Sequence, residues 1–274
     1  MGIITLTSDM GLSDHYVASV KASILSHAPE AHIIDISHGV LTDDILQAAF
    51  VLRAVWKDFP IGTVHIIGVN SEMTVDHPHV IISYMGHYFI GADNGVFSLL
   101  FDDIPEDIFE ISLHQGDLWK FPMKGVFAFA AAHLSKGGTP EMLATRTNLF
   151  NGGLSFHAEV YDDYILGRVT HIDHYSNTYV NIARSQFERA LRGRRYKVQF
   201  KRSTYDISRI LEYYTETKHG ERLAMWSSIG WLMIAINQGT KQAGGGAAEL
   251  FGLRVGDPVK IEFYDNPYRE DDFS

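Results

Sequence analysis

The chain has 274 residues, 46% of them hydrophobic and 20% charged, which is an ordinary soluble composition but long for a single core. It carries a formal net charge of −10 and no cysteine, which excludes disulfides, thiolate nucleophiles and thiolate metal sites and argues against a general nucleic-acid binder. No run approaches the roughly 18–20 apolar residues that cross a bilayer, and Met1-Gly2-Ile3-Ile4 lacks the basic region of a signal peptide. The expectation is a cytoplasmic protein of two domains, with neither a membrane nor a nucleic-acid partner.

The first domain is predicted to run over 1–150 as a mostly parallel sheet covered by helices. Ile3, Ile4 and Leu6 suit a buried strand, followed by the polar turn Thr7-Ser8-Asp9-Met10-Gly11. Ser13 is a candidate N-cap for a helix whose apolar positions are Tyr16, Val17, Val20, Ile24 and Leu25. Ile33 to Ile36 forms a second strand, and Thr42 can cap the next helix, which ends at Pro60. Thr63 to Val69 is a third, strongly apolar strand, and this alternation defines an α/β sheet. The strand ends at Val69-Asn70 on the edge of the sheet where open α/β folds bind ligands, and a polar loop, Ser71 to His79, follows. Val80 to Tyr84, His87 to Ile90 and Ile108 to Leu113 are further strands. Asp93-Asn94-Gly95 starts a short helix, and Val126 to Leu134 is an alanine-rich one.

The second domain is predicted over 151–274 as a small β-barrel. Its apolar runs are short and separated by turns: Ser155–Val160, Tyr164–Ile172, Tyr179–Ile182, Tyr196–Phe200, Leu223–Trp226, Trp231–Ile236 and Val259–Tyr264. Ser185 to Leu191 reads as a helix, and Ile207 to Tyr214 fits helix or strand. Gly244-Gly245-Gly246 is a candidate surface loop, and Arg269-Glu270-Asp271-Asp272 an acidic tail.

Motif chemistry narrows the field. There is no GxxxxGK[ST], no GxGxxG after the first strand and no GxSxG. Asp76, His77 and His79, like His171, Asp173 and His174, cluster in sequence without the HExxH spacing, so no metal site is expected. Asp9, just beyond the first strand, either accepts hydrogen bonds from a ribose diol or closes its own turn. Asp173 to Asn181 holds a carboxylate, two amides and aromatics in one polar turn. It is either an Asx turn in a hairpin or a surface that pairs with an adenine edge and stacks on the base.

Several stretches together resemble the S-adenosylmethionine (SAM) hydroxide adenosyltransferase family, to whose superfamily the SAM-dependent fluorinase and chlorinase belong. Thr7 to Val17 is similar to its TDFGxxDxYV opening, and Phe127 to His133 to its FAPAAAH helix. Ile172 to Ile182 is similar to its IDxFGNxxTNI turn. Ile34-Asp35-Ile36-Ser37-His38, Phe59 to His65, Asp93-Asn94-Gly95, Ser228 to Leu232 and Leu250 to Asp257 follow in the expected order over nearly the whole chain.

The resemblance implies an α/β domain followed by a β-barrel, and a homotrimer that binds SAM between one subunit's first domain and its neighbour's second. It implies that Asp9 holds the ribose hydroxyls, that Asn177 hydrogen-bonds the adenine with Tyr179 beside it, and that Asp173 and Ser228 hold the methionine amino and carboxylate groups. The implied reaction is water attack on C5′ of SAM, releasing methionine and adenosine, with SAM as substrate or ligand and no further cofactor.

The family's Asp–Arg–His catalytic set does not carry over. Its VDPGVGTxR segment corresponds to Val69 to His77, where Asn70 replaces the Asp and His77 the Arg, and Pro122 stands where its TFHGRD segment has the His. An amide is no carboxylate base, and proline has no side-chain donor. Asn70 and His77 become the catalytic candidates in a SAM hydrolase. The alternatives are an inactive SAM- or adenosine-binding homologue and a divergent enzyme acting on another nucleoside.

Overall fold

The computed structural model describes residues 2–105, 107–112, 116–239 and 245–265. Gly244 of the glycine loop, Leu113 of the expected strand and the acidic tail lie outside them. The chain divides into two compact units, Met1–Ser155 and Phe156–Ser274. The division falls beyond the expected 150/151 because Asn151 belongs to the first unit: its N–H and side-chain amide both donate to Asp93, at 2.7 and 3.1 Å.

The first unit runs β1 (Ile3–Ser8), α1 (Tyr16–His27), β2 (His32–Ser37), α2 (Ile45–Arg53), β3 (Val64–Gly68), β4 (His79–Tyr84), β5 (His87–Ala92), α3 (Val96–Leu100), β6 (Asp107–Ile111), α4 (Ala128–Ser135) and β7 (Ala144–Thr147). The sheet order is β2-β1-β3-β5-β4-β6-β7. Its β2-β1-β3-β5 portion is parallel, as the strand–helix alternation requires. The remainder is antiparallel, because β4 and β5 form a hairpin closed by Met85 and Gly86, both at positive φ. Ile4, Leu6, Ile66, Ile81, Ile90 and Phe109 form one apolar face against Val20 and Ile24 of α1 and Ala130, Ala131 and Leu134 of α4. A π-helical turn, Met123–Phe127, leads into α4 and packs Met123 against β3. Glycine at position 68 permits that approach, since a Cβ there would meet Met123 Sδ at 2.3 Å.

Two helix starts differ from the sequence reading. Ser13 caps nothing: α1 begins at Tyr16 after His15, which makes no side-chain cap. Thr42 yields to Asp44, whose carboxylate accepts from Gln47 N at 2.9 Å. Asp43, held at φ 61°, turns the chain between the two, which moves the cap position two residues later.

The second unit runs β8 (Glu159–Val160), β9 (Tyr164–Ile172), β10 (Thr178–Ala183), α5 (Arg184–Leu191), β11 (Arg195–Gln199), β12 (Ile210–Leu211), β13 (Arg222–Trp226), β14 (Trp231–Ile236), α6 (Ala247–Phe251) and β15 (Pro258–Tyr264). These strands make a curled half-barrel in the order β11-β15-β9-β10-β14-β13-β12, with β8 against β9. Its concave side is filled by Ile165, Val180, Val198, Leu232, Ile234 and Ile261, under Phe187 of α5. The ambiguous 207–214 stretch is extended: Ile207 bridges Val198, and β12 pairs with β13. Of the expected strand over 155–160 only β8 forms.

A buried histidine pair ties the first sheet to pH. His65 is fully buried; its Nδ1 meets Thr5 Oγ1 at 2.8 Å, and its Nε2 lies 3.2 Å from His87 Nδ1. Burial, and then the neighbouring imidazole, push its pKa down to about 3 from the ordinary 6.5. The unfolded chain therefore binds a proton that the fold refuses between those values. This contribution to stability is complete above pH 6.5 and falls by up to about 1.4 kcal/mol per pH unit towards pH 3. In urea titrations at successive pH values between 4 and 6, wild-type stability is expected to fall more steeply than that of His65→Asn. Parallel slopes would contradict the assignment.

Candidate functional site

The carboxyl edge of the first sheet is built on a chain of polar contacts around the β1 turn. Ser8 Oγ lies 2.6 Å from His38 Nδ1, and both residues are buried. His38 Nε2 sits 3.1 Å from Asp35 Oδ1, an ion-pair distance without hydrogen-bond alignment. Asp35 Oδ2 accepts from Lys21 Nζ at 2.6 Å. Burial works against the Asp35 charge, but Lys21 and His38 together hold its pKa below the usual carboxylate value. The His38 carbonyl accepts from Gly11 N at 2.8 Å, and Ser8 Oγ from Met10 N at 3.4 Å. Asp9, between these anchors, is half-buried, and its Oδ2 accepts from Asp43 N at 3.0 Å. One oxygen of Asp9 thus ties its turn to the loop before α2, where the sequence reading had it close its own turn, and the other is left as an acceptor.

The next strand end carries the catalytic candidates. Asn70 is exposed at φ 45°, a conformation that asparagine tolerates better than most residues. Its carbonyl and that of Val69 accept from Asn94 Nδ2 at 2.9 and 3.1 Å, so the β5 end clamps the β3 end. His77 is half-buried in a tight turn, its N–H donating to Thr74 Oγ1 at 3.0 Å. Pro122 lies at the head of the π-helical turn, where its carbonyl accepts from Phe127 N at 2.9 Å. It supplies backbone geometry in place of a side-chain acid.

Two residues here had no role in the sequence reading. Asp93 is 2% exposed; Oδ2 accepts from Asn151 N, while Oδ1 has no partner. Burial raises its pKa; the Asn151 N–H and the positive potential of His77 oppose that shift. His79 is also buried, sandwiched between Trp119, stacked at 5.0 Å, and Phe127. Its Nε2 donates to the Ser71 carbonyl at 2.8 Å, a tautomer fixed by that acceptor, and Nδ1 is left as an unpartnered buried lone pair. Burial lowers its pKa, against the opposing Ser71 bond, and keeps the ring neutral. Asp93 was legible as part of a turn; only the fold reveals its burial beside the candidate loop.

In the second unit, Asp173 and Asn177 share one turn, and Tyr179 follows as the second residue of β10. Asp173 Oδ1 accepts from Tyr175 N and Asn177 N, both at 2.9 Å, and Oδ2 from Asn177 Nδ2 at 3.0 Å. This is the Asx-turn reading in full. The carboxylate that the resemblance gives to an amino group already serves three donors of its own loop. The Asn177 amide is thereby fixed in orientation. Tyr179 lies against Leu211, Leu223 and Met233. Burial, and then the Asp173 charge, push its phenol up to about 12, so it remains a neutral hydroxyl. Ser228 is exposed at the β13–β14 turn, where Ser227 Oγ, not Ser228, binds Trp231 N at 3.2 Å. The fold thus gathers Asp9 and Asn70 on one sheet edge, and Asp173, Asn177 and Tyr179 in one turn and the strand that leaves it. Among the described residues no group of three His, Cys, Asp or Glu is placed to hold a metal ion. No described helix is long and apolar enough to cross a membrane.

Sheet, half-barrel and paired polar turns define a two-part α/β-plus-β protein with its polar residues gathered in loops. The chain belongs to the SAM hydroxide adenosyltransferase family: the family's N-terminal domain model matches residues 4–144 and its C-terminal domain model residues 167–260. It is 27% identical over 270 residues to the (R)-S-adenosyl-L-methionine hydrolase of Thermus thermophilus, covering 93% of this chain and 97% of that one. It is 28% identical over 200 residues to the hydrolase of the same name from Methanocaldococcus jannaschii, covering 68% and 69%. A crystal structure of an uncharacterised conserved protein from Thermotoga maritima superposes with a TM-score of 0.82 at 27% identity, over 95% of this chain and 99% of that one.

Ser8→Ala is expected to destabilise the protein by about 1–3 kcal/mol, because it strands the buried His38 Nδ1 without a partner. Chemical denaturation measures this. A change within error of zero would show that the Ser8–His38 contact does not hold the edge together.

Proposed function

We propose that this protein binds SAM and hydrolyses it to adenosine and methionine by water attack on C5′. The observation that carries this reading is the match of both domains of the SAM hydroxide adenosyltransferase family along the chain. Hydrolases of that name related to it along most of its length support it.

The chemistry suits a site without the family's catalytic set. A sulfonium is already an activated leaving group, so C5′ is displaced by neutral water with little proton removal before the transition state. Positioning then supplies most of the rate. Asp9 offers its free oxygen to the ribose hydroxyls. The oriented Asn177 amide pairs with the adenine edge beside Tyr179, and Asp173 and Ser228 meet the methionine end. Asn70 and His77 orient the water, and Asp93, buried behind the loop, supplies negative charge. That charge favours a cationic substrate and receives the proton as the attack completes. With this reading go a homotrimer and no added cofactor, which rest on the family resemblance, and a cytoplasmic setting, which rests on the cysteine-free composition.

A second reading is favoured by one observation, the replacement of all three catalytic positions by Asn70, His77 and Pro122. It takes the protein as a binder of SAM or adenosine that no longer turns its ligand over. Incubation of concentrated enzyme with SAM, followed by chromatography for adenosine and methionine, separates the two. The expected result is adenosine above the enzyme-free blank, reduced at least tenfold by Asp9→Ala and by Asn70→Ala with His77→Ala. Saturable binding without product would establish the binder. Turnover untouched by the Asn70 and His77 substitutions would remove those residues from the mechanism.

A further inference from the structure

The acidic chain contains one strongly basic stretch. Between Arg184 and Arg202 stand six arginines and two lysines against a single glutamate, in a protein with 23 Lys and Arg against 33 Asp and Glu. Part of this charge is spent locally: Arg184 pairs with Glu188 at 2.8 Å and Lys201 with Asp257 at 2.8 Å. Arg189, Arg192 and Arg194 have no carboxylate partner among the described residues. These three line one concave cavity of about 600 Å³ at the carboxyl end of α5, together with Gln186, Tyr161 and Asp162.

Arg194 is held in place by its neighbours, and Arg192 stands at an unusual helix end. Arg194 Nη2 donates to the Ala190 carbonyl at 2.7 Å, and its guanidinium lies over the Phe263 ring at 4.7 Å. That contact caps the negative end of α5 with a cation and removes the helix's own objection to an anion there. Arg192 ends the helix in the left-handed region at φ 47°, where glycine is the usual residue, although Gly193 stands next to it. A non-glycine residue at a strained helix end is a feature that function explains better than folding does.

We propose that this cavity binds a small anion carrying a diphosphate group. Planar guanidinium forks match phosphate oxygens two at a time. Three such cations, offset by Asp162, suit a ligand with two or three negative charges better than a single-charged one. The Gln186 amide adds a neutral donor. None of these residues belongs to the set assigned to SAM, which is itself a cation and is not drawn to three arginines.

Calorimetric titration of the full chain with pyrophosphate, ATP and orthophosphate at constant ionic strength tests this. Pyrophosphate and ATP are expected to bind at one site and compete with each other, with orthophosphate at least tenfold weaker. Arg192→Gly is the informative variant, because glycine relaxes the strained backbone. Its melting temperature is expected to hold or rise while pyrophosphate affinity drops at least tenfold. Arg189→Ala is expected to weaken binding in the same direction with SAM turnover unchanged. The proposal is overturned if pyrophosphate gives no saturable heat, if Arg192→Gly binds it as well as wild type, or if only a single-stranded oligonucleotide binds.

Discussion

The contact between Ser8 and His38 is the one on which the ligand edge of the first sheet depends. A strand that ends inside a sheet must dispose of its last polar groups, and burying them unpaired costs free energy comparable to a lost hydrogen bond. Ser8 meets this demand through His38, whose other ring nitrogen faces, without a hydrogen bond, the Asp35 carboxylate that Lys21 holds charged. The backbone of His38 then anchors Gly11. Gly11 takes a positive φ that the turn requires and most residues resist. Asp9 is suspended between these two anchors, and its own bond from Asp43 N completes the setting of its direction. The same logic recurs at β5, where Asn94 ties down the carbonyls of the neighbouring strand end and thereby fixes the loop bearing Asn70 and His77.

Regular elements were legible because their signals are local. The apolar core of β3, the period of α1 and α5, and the turn residues between the short strands of the second unit each follow from a few neighbouring side chains. The family, too, was legible, through motifs that remain in register over the chain. Helix starts were less so: Ser13 and Thr42 have the right chemistry at the wrong place, and for Thr42 the turn at Asp43 makes Asp44 the residue that faces the first free N–H groups. The antiparallel half of the first sheet was hidden for a related reason, since strand direction follows from the two-residue turn at Met85-Gly86 and not from strand composition.

The site was legible as a set of residues and not as a set of partnerships. Asp173 illustrates this. Its sequence context fits both a ligand contact and an Asx turn, and the three hydrogen bonds from its own loop make the turn a fact whatever else the residue does. Asp93 illustrates the converse: its burial beside the loop of His77 depends on where Asn151 returns to the first unit, a contact across 58 positions. A buried carboxylate with one free oxygen and the neutral, buried His79 give this edge an electrostatic character that the replaced catalytic positions alone would not suggest.

The account's central claim is that water still displaces methionine from C5′ of SAM in a site whose usual catalytic set has changed. Turnover in water enriched in oxygen-18, with mass spectrometry of the nucleoside product, tests it most directly. The account predicts adenosine two mass units heavier, the label residing in the 5′-hydroxyl, because the oxygen comes from solvent and the C5′–sulfur bond is the one broken. Unlabelled adenosine, or none above the enzyme-free control at high enzyme concentration, would contradict it.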